Sequence, residues 1–68
     1  MELDKMEAFS IVVKLTEKDK FDMANEMMRI ISKSIREDQK NNRFSPVIKI
    51  KNKRDERFID YVLKLERM

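Results

Sequence analysis

Apolar positions along the chain fall into stretches of two different periods. From Thr16 to about Gln39, Phe21, Ala24, Met28, Ile31 and Ile35 recur in steps of three and four. That spacing is one face of a helix. Thr16 stands where an N-cap belongs, with Asp19 three residues on, and Glu17, Asp19 and Asp22 put acids where the helix dipole favours them. Asn25, Arg29, Lys33 and Arg36 share the outer face, with Glu26 and Glu37 within pairing reach, and read as a solvated surface. Met23, Met27 and Ile30 widen the apolar arc to about half the circumference, more than one small sheet needs.

Three other segments alternate. In Phe9 to Leu15, Phe9, Ile11, Val13 and Leu15 alternate with Ser10, Val12 and Lys14, and β-branched residues dominate. This favours a strand, although Leu3, Met6, Phe9 and Val13 also suit a helix. Val47 to Lys51 places Ile48 and Ile50 on one side and Val47, Lys49 and Lys51 on the other, behind Pro46 at a first strand position. In Arg57 to Glu66, Ile59, Tyr61, Leu63 and Leu65 alternate with Asp60, Val62, Lys64 and Glu66. The alternation favours a strand. The same residues also fit a helix with Phe58, Ile59, Val62 and Leu65 inward, capped by Asn52 or Asp55. The turn signal Asn41-Asn42-Arg43-Phe44-Ser45-Pro46 separates the two halves of the chain.

These elements predict one α+β domain over 1–68, in the order β-α-β-β. A three-stranded, mostly antiparallel sheet carries one long helix on one face, and Asn52 to Glu56 form a hairpin loop. The alternative is mainly α, with three helices and one short strand at 47–51. In the sheet register, Lys14, Lys49, Lys51 and Lys64 share the face away from the helix with Val12, Val47, Phe58 and Val62, and a one-residue slip would exchange the faces.

Composition narrows the chemistry. The 68 residues contain no Cys, His or Gly. This leaves no disulfide, no thiolate or imidazole ligand, no usual general base and no glycine loop to cradle phosphate. Serine nucleophiles lack a base, and carboxylate pairs such as Asp19/Asp22 and Asp55/Glu56 look like caps and solubilising charges. The chain is therefore expected to be no enzyme and to need no metal or cofactor. No apolar run suits a membrane span and the first residues do not form a secretory signal, so a cytoplasmic protein with no membrane partner is expected. The lysine-, isoleucine- and asparagine-rich composition resembles that of chains from AT-rich genomes, such as those of phages and plasmids.

Charge gives the most direct functional pointer. The net charge is only +3, yet residues 39 to 54 carry six basic side chains and no acid. Such a run attracts polyanions more strongly than the total charge suggests. The first expectation is a small regulatory protein binding DNA or RNA. Lys49, Lys51, Lys53 and Arg54 contact phosphates, helped by Arg43, Lys14 and Lys64, while Phe44 stacks on a base. The second is a protein-binding regulator, such as an inhibitor or adaptor of a larger host protein, that docks through Met23, Met27 and Ile30 or through an edge strand. A domain this small, with open sheet edges, also gains stability by forming a homodimer.

Overall fold

The computed structural model describes residues 1–66, so residues 67–68 of the expected domain lie outside the described residues. The order is β1 (Glu2–Asp4), α1 (Lys5–Glu17), α2 (Phe21–Lys40), β2 (Val47–Lys49) and α3 (Lys53–Glu66). β1 and β2 pair antiparallel, with Glu2 opposite Lys49, Leu3 opposite Ile48 and Asp4 opposite Val47. The described residues thus form three helices with one two-stranded sheet. It fits the mainly helical alternative, and the three-stranded β-α-β-β sheet is not formed.

Both segments expected as strands at Phe9 to Leu15 and Arg57 to Glu66 are helical, and caps explain why. The Asp4 side chain accepts hydrogen bonds from the amides of Met6 (2.8 Å) and Glu7 (3.3 Å), which starts α1 well before the alternating stretch. The buried residues Ala8, Ile11 and Leu15 then follow helical spacing. Asn52 caps α3 in the same way, accepting from the amide of Arg54 at 2.8 Å. Buried Asp55, Ile59 and Val62 form the inner face of α3. A β-branched residue costs a helix only a few tenths of a kcal/mol, whereas full burial of Ile or Val contributes about 1.5–3 kcal/mol. Packing therefore decides. The hairpin loop expected at Asn52 to Glu56 is the cap and first turn of α3.

The long helix also begins later than expected. Thr16 lies inside α1, where its hydroxyl donates to the carbonyl of Val12 at 2.8 Å. α1 ends through Asp19, whose φ of 59° lies in the left-handed region. Around it the amide of Lys20 donates to the carbonyl of Leu15 (2.9 Å) and that of Asp19 to Thr16 (3.1 Å), the paired bonds of a Schellman cap. α2 ends in the same way through Asn42 (φ 54°). There the amide of Arg43 donates to Asp38 (3.0 Å) and that of Asn42 to Gln39 (3.1 Å). Asp and Asn tolerate this conformation best after glycine, which the chain lacks.

One core cluster joins all five elements: Leu3, Ala8, Ile11 and Leu15, then Ala24, Met27, Ile30 and Ile31, then Ile48, Ile50, Ile59 and Val62. α2 therefore turns a different arc inward than its first spacing suggests. Ala24 and Ile31 are buried as expected, but Phe21 and Met28 are exposed while Met27 and Ile30 are buried. Met27 and Ile30 consequently offer a partner no surface, and the expected Met23, Met27 and Ile30 docking patch is reduced to half-buried Met23, which packs on the core edge. No helix among the described residues is long and apolar enough to cross a membrane.

Candidate functional site

The cap at the end of α2 sets up the segment that follows it. After Asn42 reverses the chain, Arg43 and Phe44 emerge, and the backbone is then anchored on both sides. The amide of Ser45 donates to Asp38 Oδ2 (3.2 Å), and the amide of Lys5 donates to the carbonyl of Pro46 (2.8 Å). The Ser45 hydroxyl donates to the carbonyl of Val47 (3.2 Å) and accepts from its amide (3.3 Å), a local serine turn leading into β2.

Beneath this segment, the ammonium of Lys5 is hydrogen-bonded to the carboxylate of Asp38, and both side chains are largely buried. The bond from Lys5 holds the Asp38 carboxyl below the usual carboxylate range. Burial opposes this, while the Ser45 amide and the charges of Lys5 and Arg43 assist it. Lys5 Nζ also lies 5.0 Å from the centroid of the Phe44 ring, which remains 84% exposed. A cation over a ring face at this distance is attractive.

β2 then runs beside α2 with Ile48 buried and Lys49 exposed, and buried Ile50 and exposed Lys51 continue the alternation. The seam between α2 and the β2 segment is an open groove. One part, about 330 Å³, is lined by Glu37, Asn41, Arg43, Phe44, Lys49 and Lys51 among others. An adjoining part, about 210 Å³, is lined by Lys33, Ser34, Glu37, Lys49, Lys51 and Asn52 among others. Ser34, Glu37, Lys49 and Lys51 line both parts. Four cations thus face one groove: Lys33, Arg43, Lys49 and Lys51. None is in a salt bridge among the described residues. Two of the three acids lining the groove are engaged: Asp38 by Lys5, and Asp55 by Arg29 at 3.0 Å. Glu37 is the third acid and is exposed.

Sequence-expected residues divide around this groove. Arg43, Phe44, Lys49 and Lys51 come together in it. Lys53 and Arg54 stand exposed in the first turn of α3 and line neither part. Arg54 is close enough to Glu26 for its charge to add a small lowering of that carboxyl's pKa, which is mainly due to the hydrogen bond from Arg29. Lys14 and Lys64 do not share a face with Lys49 and Lys51, because no sheet joins them. Lys14 lies on α1, 3.4 Å from Glu66 across the seam with α3, and Lys64 is in the last turn of α3. Lys33 completes the groove, although its place in the sequence marks it only as a solvated charge on the outer face of α2. Its signal is position: it lies one turn before Glu37 on the α2 face that β2 approaches.

Arg29 ties α2 to α3. Its guanidinium donates to Glu26 (2.7 and 3.2 Å) and to buried Asp55 (3.0 Å). No three carboxylates among the described residues converge in a way that could hold a metal ion. What the groove can do is bind anions, with guanidinium and ammonium donors along its walls and an aromatic ring at one end. Compared with family models, curated proteins and solved structures, the chain matches none.

Proposed function

We propose that the chain is a small, non-enzymatic nucleic-acid-binding protein, regulatory in role, whose α2–β2 groove holds a phosphate backbone. One observation carries this reading: Lys33 from α2, Arg43 from the loop, and Lys49 and Lys51 from the β2 segment face the same groove with no acid paired to them among the described residues. Cations left unpaired along a channel favour a polyanion, whose binding releases condensed counterions. Asn41, Ser34 and Asn52 add neutral donors that can bond to phosphate oxygens. Glu37, which lines both parts of the groove, weakens the field locally. Lys53 and Arg54 extend the positive surface at the start of α3, where the helix dipole adds to it but Asp55 and Glu56 subtract.

The test is binding of labelled DNA and RNA across a salt series. Affinity is expected to fall steeply with salt, and each groove cation replaced by alanine is expected to lower the slope of log K against log salt by about one. The Lys49→Ala/Lys51→Ala double variant is expected to bind at least tenfold more weakly, while Lys14→Ala and Lys64→Ala bind as the parent does. Equal loss from all four lysines, or an unchanged slope in the double variant, would remove the groove from the reading.

A further inference from the structure

We infer that the groove takes single-stranded nucleic acid and that a hollow at its end holds one unstacked base; this rests on reading the α2–β2 groove as the phosphate site. The hollow, about 510 Å³, opens between the start of α1, the end of α2 and the loop before β2. Its walls include Met6, Phe9, Ile35, Phe44 and Pro46, with Gln39 at the side. Its volume falls within the roughly 300–1,000 Å³ of small-molecule sites. Asp38, Arg43, Phe44 and Pro46 line both this hollow and the basic groove, so the two adjoin.

The chemistry changes across Phe44. On the groove side lie the cations that suit phosphate. On the other side lie apolar walls, with Met6 79% exposed and Phe9 also exposed. Lys5 sits over the Phe44 ring, and the ring's high exposure leaves it free to stack. The Gln39 amide and the Arg43 guanidinium supply donors and an acceptor for a base edge. Asp38, the acid of the hollow, is already bonded by Lys5 and by the Ser45 amide, so it does not repel a ligand strongly. A duplex keeps its bases stacked inside and offers phosphates, sugars and groove edges but no free base face. A single strand can place phosphates along the groove and turn one base into the hollow.

The test uses the full chain and three labelled probes: an oligothymidylate of about 16 nucleotides, an abasic strand of the same length, and a duplex. The oligothymidylate is expected to bind about tenfold more tightly than either of the others at the same salt. Phe44→Ala is expected to remove that advantage, about tenfold, without changing the salt slope. Phe44→Tyr, which keeps a stacking face, is expected to retain it. Because Phe44 is exposed, its replacement leaves the core intact, and circular dichroism confirms the fold of each variant. Salt-sensitive binding that is equal for all three probes and indifferent to Phe44→Ala would overturn the base site while leaving the groove. Absence of salt-sensitive binding to any probe would overturn both, and the hollow would then be a candidate for an apolar protein side chain.

Discussion

The side chain of Lys5, the first residue of α1, is bonded to that of Asp38, in the last turn of α2, and both are nearly withdrawn from water. The pair joins the start of one helix to the end of the next and supports the loop that carries Phe44. Removal of one partner would leave the other charge without compensation in a largely buried place, which is more damaging than loss of an exposed pair.

The pair gives a proton-linked signature. Asp38 ionises below its ordinary value of 3.8 in the folded chain because Lys5 donates to it. A carboxylate with a lowered folded-state pKa adds stability that is fully present above the ordinary value and is lost as pH falls through the folded one. The parent is therefore expected to lose stability as pH drops below about 4. Asp38→Asn and Lys5→Met are both expected to be less stable at neutral pH and to show a shallower loss on this acid limb. Thermal melts by circular dichroism across the acid range read both effects. Parallel acid limbs in parent and variants would show that the pair carries no such linkage.

Asp19 and Asn42 occupy left-handed positions normally suited to glycine. Glycine relieves the steric cost there but adds freedom to the unfolded chain, so Asp19→Gly and Asn42→Gly are each expected to stabilise by roughly 0.5 kcal/mol. Asp19→Val is expected to destabilise by about 1–2 kcal/mol, because a β-branched residue resists this conformation. Urea unfolding midpoints discriminate the two cases. A stabilising Asp19→Val would contradict the cap geometry.

Two adjacent methionines report which arc of α2 faces inward. Met27 is fully buried and Met28 is 37% exposed. Met27→Ala is expected to cost about 2–5 kcal/mol, and Met28→Ala under about 1 kcal/mol. Met27→Lys is expected to unfold the chain rather than to disable one interaction selectively. Similar losses from the two alanine variants would mean that α2 is rotated from the position described.

The existence of α2 and the alternation of β2 could be read from residue order, but the broad apolar arc of α2 did not show that Met27 and Ile30, rather than Phe21 and Met28, face inward. Ile48 and Ile50 lie inside and Lys49 and Lys51 outside, as their alternation implied. α1 was obscured because its outer face is also apolar. Met6, Phe9 and Val13 are exposed while Ala8, Ile11 and Leu15 are buried. Taking two members from each face in turn gives Phe9, Ile11, Val13, Leu15, a false strand. The same superposition in α3 combines exposed Tyr61 with buried Ile59. The short caps at Asp4 and Asn52 carried the missing information. In the groove, the basic run from 39 to 54 was visible as composition. The opposing wall, Lys33, depends on which side of α2 meets β2, a tertiary relation that no local pattern encodes.

The sheet register imposes an order on biosynthesis. Leu3 is buried opposite Ile48, and α1 and α2 lie between them in the chain. On a ribosome, Glu2–Asp4 emerges well before its partner Val47–Lys49 exists. Until the later strand arrives, Leu3 has no cross-strand cover and the groove has only its α2 wall. The earliest strand in the chain thus waits for the later one, and the α2–β2 groove comes into being with that closure rather than with either helix alone.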